Sequence, residues 1–165
     1  MRILVYLLLL IGVQGALTRL LPASVSAPDL FLLTAVALAF RWRPLPALLA
    51  AYLIGLVQDV LSHASLLGLH AAAVAGGVLL VLGLRRFLAS DGLLQTIVSV
   101  TTATVGQWIA FLILTYWLRN DLVTVTTLST VLPAALVGTL VLAPMVERFA
   151  TWAFGPRGSV EEGLA

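Results

Sequence analysis

Six apolar runs, at 3–21, 30–40, 45–61, 66–84, 93–118 and 128–150, follow one another with only short polar breaks, leaving no stretch long enough for a water-soluble domain. Runs of roughly 20 apolar residues match the length a helix needs to cross about 30 Å of hydrocarbon. Of 165 residues, 61% are hydrophobic and 10% charged, with a mean hydropathy of +1.12. Soluble domains carry roughly 45–50% apolar and about 25% charged residues. The sequence therefore reads as an all-α integral membrane protein with six transmembrane helices. One transmembrane domain is expected over 1–154, with a short, disordered cytoplasmic tail at 155–165.

Charge fixes an expected orientation. All 9 basic residues are arginine, for a net charge of +2. Arg2, Arg41, Arg43, Arg85, Arg86, Arg148 and Arg157 fall on one side of the six-span scheme, and Arg19 and Arg119 on the other. The positive-inside rule then places both termini in the cytoplasm. The first run has signal-peptide features, including Val25-Ser26-Ala27, but Pro28 follows the would-be cleavage site and Gln14, Thr18 and Arg19 interrupt the run, so it is expected to remain as a helix. Trp42, Tyr116, Trp117 and Trp152 fall near the ends of runs, where amphipathic rings favour the headgroup level. Nucleic acid is not an expected partner, because phosphate binding needs a clustered basic face. Without cysteine, disulfides, thiolate metal sites and cysteine nucleophiles are excluded.

The second run is short. Residues 30–40 span only about 16 Å as helix, roughly half of the hydrocarbon core. Pro28-Asp29 starts it, with Asp29 near the N-cap and Arg19 as its expected counterion. The shortness predicts an outward-facing, partly hydrated notch. Arg41-Trp42-Arg43-Pro44 then makes a tight turn, since proline disfavours helix at the residue before it and can itself begin the next helix.

Small residues mark expected helix contacts. Ala47, Ala51, Gly55, Asp59 and His63 recur every four residues and share a slowly drifting face of the third helix, with Gln58 beside Asp59 as donor and acceptor. Ala72-Ala73 with Gly76-Gly77 in the fourth helix, and Ala134 with Gly138 in the sixth, have the spacing that lets membrane helices approach closely. In the fifth, Gln95, Ser99, Thr102 and Gly106 form an inward-facing polar side.

Asp59 and His70 are the ionisable groups most deeply embedded in apolar sequence, and an Asp at the centre of a spanning helix costs roughly 2.5–3.5 kcal/mol. Three uses compete. A metal site could combine Asp59, His63 and His70, but no third ligand has convincing spacing and Ser62, Ser65 and Gly68 read as a turn. A proton relay is the second use. The expected use is structural, a capped and hydrogen-bonded hairpin between the third and fourth helices. Catalysis is not expected: there is no paired carboxylate, no serine elbow at Ser62 or Ser65 and no phosphate-cradling loop. Neither a cofactor nor a metal is expected.

Taken in order, Pro28-Asp29-Leu30, Arg41-Trp42-Arg43-Pro44-Leu45, Gly55-Leu56-Val57-Gln58-Asp59, Ser62 and Leu67-Gly68-Leu69-His70-Ala71 resemble the rod shape-determining MreD family over about residues 28–75. The resemblance implies a multi-pass protein of the bacterial inner membrane and a non-catalytic scaffold of the rod complex, or elongasome, which maintains cell shape through lateral-wall peptidoglycan synthesis. It implies MreC as direct partner, and MreB, RodA and a class B penicillin-binding protein in the same complex. It also implies a fold similar to the six-helix S-components of energy-coupling-factor transporters. Asp29, Gln58, Asp59, Gly68 and His70 are the expected partner-binding or structural polar residues, with Ala47, Ala51, Gly55, Gly76 and Gly77 packing helices. The alternative is the substrate-binding membrane component of a small-solute, vitamin-like transporter. It requires convergent polar and aromatic residues, of which the sequence shows few: Trp108 and Trp117 are expected on opposite helix faces.

Overall fold

A computed structural model describes residues 1–21, 27–61, 67–87, 92–117 and 125–157. The side chains of Arg86, Leu93 and residues 125–130 are not described. Ser62, His63, Ser65, Arg119 and positions 158–165, which entered the sequence reading, lie outside the described residues.

Among the described residues there are six α-helices and no strand: α1 (Arg2–Leu20), α2 (Leu30–Ala39), α3 (Pro44–Leu61), α4 (Leu69–Leu84), α5 (Leu93–Trp117) and α6 (Val125–Phe154). A single 3-10 turn, Arg85–Phe87, follows α4. Four helices, α1, α3, α5 and α6, are long and apolar enough to cross a membrane. The other two are shorter: α2, short already in the sequence, has 10 residues and α4 has 16. At 1.5 Å per residue these reach about 15 and 24 Å.

Every residue of α2 is buried. A helix apolar on all sides belongs inside a bundle, and α2 packs against all five other helices. Its ends explain how so short a helix is held. Asp29 occupies the N-cap and accepts from the Leu32 amide at 2.9 Å, while Gln14 of α1 accepts from the Leu30 amide at 3.0 Å. At the other end, Arg41 Nη1 donates to the Ala37 carbonyl at 2.7 Å and Arg85 Nη1 to that of Ala39 at 2.8 Å. Unpaired groups at both ends are thus served by side chains, and the charged ones, Asp29 at the start and Arg41 and Arg85 at the end, match the helix dipole. Pro44 is the first residue of α3, where its missing N–H costs nothing.

The buried face of α3 consists of Ala47, Ala51, Ile54, Gly55 and Asp59. A Cβ on Gly55 would lie 2.5 Å from the Ala71 Cα, and one on Gly77 would lie 2.5 Å from the Ala103 carbonyl oxygen. These two glycines set the close α3–α4 and α4–α5 crossings. On α5, Gln95, Ser99, Ala103, Thr104 and Gly106 are buried, whereas Thr102 is half-buried.

α6 is longer than the run that marks it, extending through Pro133 and Pro144. Proline is tolerated where neighbouring helices satisfy the freed carbonyls. Gly155 and Arg157, read in the sequence as tail, are tied to the bundle. Arg41 Nε donates to the Gly155 carbonyl at 2.8 Å, and Arg157 donates to Glu147 at 2.9 Å and to Gln95 at 2.7 Å. Glu147 also takes Arg41 at 2.6 Å, and the Arg157 guanidinium lies over the Phe40 ring at 5.1 Å.

Candidate functional site

Asp59 stands near the end of α3, 3% exposed, with its carboxylate directed across the hairpin to the start of α4. Oδ2 accepts from the Gly68 and Ala71 amides at 2.9 and 3.1 Å. Oδ1 accepts from the His70 amide at 3.0 Å and lies 2.8 Å from His70 Nδ1. Gly68 adopts φ +97°, a backbone conformation that glycine takes without steric cost, and so turns its amide and those of α4's first turn toward one carboxylate. A negative group at a helix N-terminus is favoured by both orphan N–H groups and the helix dipole. The cost of burying Asp59 is met by this capping.

Asp29 builds a second cluster. Its Oδ2 accepts from Gln107 Nε2 of α5 at 2.8 Å and, more weakly, from Gln58 Nε2 of α3 at 3.5 Å. Its backbone amide donates to Thr139 Oγ1 of α6 at 3.3 Å. Arg19 is exposed and forms no ion pair with Asp29. The expected counterion is therefore replaced by two neutral amides: α1 places Arg19 outward and Gln14 inward. Gln107, Thr104 and Thr139 were not singled out by sequence reasoning. Their one signal is polarity inside apolar runs, shared with threonines that only bond back to their own helix.

Between these clusters lies a cavity of about 290 Å³, lined by Asp29, Gln58, His70, Gln107, Trp108 and Phe111 among others. Gln14, Thr104 and Thr139 contribute further polar wall. The rings of His70, Phe111 and Trp108 follow one another, with centroids 5.7 and 5.9 Å apart. Trp117 is 82% exposed, on a different face from Trp108. Polar and aromatic residues from five helices, with Asp29 from the α2 N-cap, line this cavity, where the sequence reads as offering few; no single helix carries more than four of them. The cavity adjoins Asp29 at the start of the short α2, the place where the sequence leads one to expect a notch.

Asp29, Gln58 and His70 line the cavity; Asp59 and Gly68 form the hairpin cap beneath it. Ala47, Ala51, Gly55 and Gly77 lie in helix contacts, and a Cβ on Gly76 would lie 2.8 Å from the Ala110 Cβ. Among the described residues, no group of three His, Cys, Asp or Glu side chains is disposed to hold a metal ion.

No family model, curated protein or solved structure matches the chain.

Proposed function

We propose that this protein is a membrane-embedded scaffold of the bacterial rod complex that binds the transmembrane helix of MreC and its adjoining periplasmic stretch. In this reading it works without catalysis in the inner membrane, with both termini cytoplasmic and an arrangement like that of S-components. MreB, RodA and a class B penicillin-binding protein share the complex, which supports cell shape and peptidoglycan synthesis. The ordered motifs that resemble the MreD family support it, and so does the use made of them: Asp59, Gly68 and His70 are occupied in closing the α3–α4 hairpin.

The observation that carries the reading is the bare face of α1. Only 11% of its apolar window is buried, against 28% in α3 and α5. Gly12, Gly15 and Ala16 are exposed on it, and a Cβ on either glycine would have nothing within 4 Å. Gly55 and Gly77 already have helices pressed against them; Gly12 and Ala16 offer a four-residue spacing with no helix among the described residues upon it. Beside them runs a wholly apolar groove of about 320 Å³ between α1 and α6, lined by Tyr6, Leu10, Val13, Met145, Phe149 and Trp152. Helices in lipid associate through such small-residue faces and close packing. Asp59 is too deeply covered to touch a partner and shapes the contact only by fixing the hairpin.

Cysteines placed along α1 and along the MreC transmembrane helix test this. Crosslinks with helical periodicity at Gly12 and Ala16 are expected, and Gly12→Leu is expected to reduce MreC capture at least tenfold without changing the melting temperature. Absence of MreC co-purification ends the scaffold reading; co-purification without α1 crosslinks relocates the surface.

A further inference from the structure

We propose that the cavity at Asp29 is a binding site for a compact organic cation, held by a primary ammonium group. The inference is independent of the scaffold reading. It begins with which hydrogen-bonding groups on the cavity wall are already used. The Gln58 and Gln107 amides both donate to Asp29. Thr104 donates to the Val100 carbonyl at 2.9 Å, Thr18 to that of Gln14 at 3.0 Å, and His70 is matched through Nδ1 to Asp59.

The wall keeps donors as well, Gln14 Nε2 and the Trp108 indole N–H, but the buried side-chain atom left without a partner among the described residues is an acceptor. Gln58 Oε1 is buried and has no hydrogen-bond partner among the described residues. This orientation turns the amide nitrogen, and not the oxygen, toward the Asp29 carboxylate. A buried polar atom left unpaired is rare and costly, and a donor entering the cavity removes that cost. Gln107 Oε1 and the threonine oxygens keep further acceptor capacity.

The charge points the same way. Asp29 contributes a carboxylate to a site enclosed by apolar helices, and among the described residues no arginine or histidine forms an ion pair with it. Two amide donors stabilise that charge without cancelling it. A cation with N–H donors meets both demands at once, and the ring of Trp108 in the same lining is suited to the apolar part next to the nitrogen. The volume of about 290 Å³ sits at the small end of ligand pockets, fitting an ammonium headgroup or a small free amine.

The test uses the full chain in nanodiscs. In phosphatidylcholine nanodiscs, ethanolamine is titrated against choline, which has the same charge but no N–H donors; separately, phosphatidylethanolamine nanodiscs are compared with phosphatidylcholine ones. Thermal stabilisation by ethanolamine identifies a free amine as the source, and stabilisation by phosphatidylethanolamine a lipid headgroup; either supports the site. Choline is expected to bind at least tenfold more weakly than ethanolamine. Asp29→Asn keeps an N-cap acceptor for Leu32 and is expected to lose the response; Gln58→Leu, which leaves the cap untouched, is expected to weaken it at least threefold. No response to either source, equal responses to ethanolamine and choline, or full responses in both variants overturns the proposal.

Discussion

Asp59 and His70, eleven positions apart on two helices, are joined twice: the carboxylate takes both the backbone amide of His70 and its ring Nδ1, at 3.0 and 2.8 Å. Side chain and main chain of one residue thus converge on a single acceptor oxygen. The arrangement makes α3 and α4 one unit, with the cap as its fastening.

Replacing Asp59 by leucine leaves the amides of Gly68, His70 and Ala71 without this acceptor. The expected loss is at least about 3 kcal/mol, from three amide donors each worth roughly 1–3 kcal/mol when left unpaired. Asp59→Asn, which retains one accepting oxygen, should lose about half as much. Unfolding in detergent, followed by helicity, measures both; equal stability of wild type and Asp59→Leu contradicts the capping role.

Gly77→Ala adds one carbon 2.5 Å from the Ala103 carbonyl oxygen, a backbone atom that cannot turn aside. Pushing α4 from α5 should cost about 1–3 kcal/mol, as overpacking does. Gly12→Ala, on the open face of α1, should cost nothing in the isolated protein. Thermal melting of the two variants side by side reads the contrast.

Arg41 carries the α2 end opposite Asp29, and its side chain is 2% exposed while Glu147 is 24% exposed. Arg41→Gln should cost about 3 kcal/mol, the lower part of the range for breaking a buried pair, since Glu147 is partly solvated. Arg41→Lys should recover little, because lysine cannot reach the carbonyls of Ala37 and Gly155 and the Glu147 carboxylate in one fork. A double-mutant cycle with Glu147→Gln should show coupling of at least about 1 kcal/mol.

Thr34 donates to the Leu30 carbonyl at 2.8 Å, so the Tyr6 hydroxyl, 2.8 Å from Thr34 Oγ1, is the donor of that pair. Tyr6→Phe removes one buried hydrogen bond while keeping the edge contact with Phe154, centroids 5.2 Å apart. A loss of about 1 kcal/mol is expected, and Tyr6→Leu should lose more. Matching melts for all three proteins would place Tyr6 outside the core.

What could be read from the sequence was local. The start of α2 at Leu30, the Pro44 start of α3, and the four-residue stripe through Ala47, Ala51 and Gly55 follow from caps and periodicity within one segment. The proximity of Asp59, Gly68 and His70 followed too, because a short connection joins their helices. Contacts between distant helices left no such trace. Gln14, Gln107 and Thr139 meet around Asp29 from α1, α5 and α6, and nothing in their spacing announces it. Arg41 and Arg157 were read as topological signals, whereas they also converge on Glu147. Charge counting reports which side a loop is on, and is silent about what the guanidinium touches.

The complete enclosure of α2 governs how the molecule can be made. A helix of 10 residues with no lipid-facing side chain has nothing to anchor it in a bilayer by itself. Its seat exists only once its neighbours have gathered, so α2 is the last of these six helices to settle. Losing α6 would unseat α2, and assembly of this bundle is thereby all or nothing.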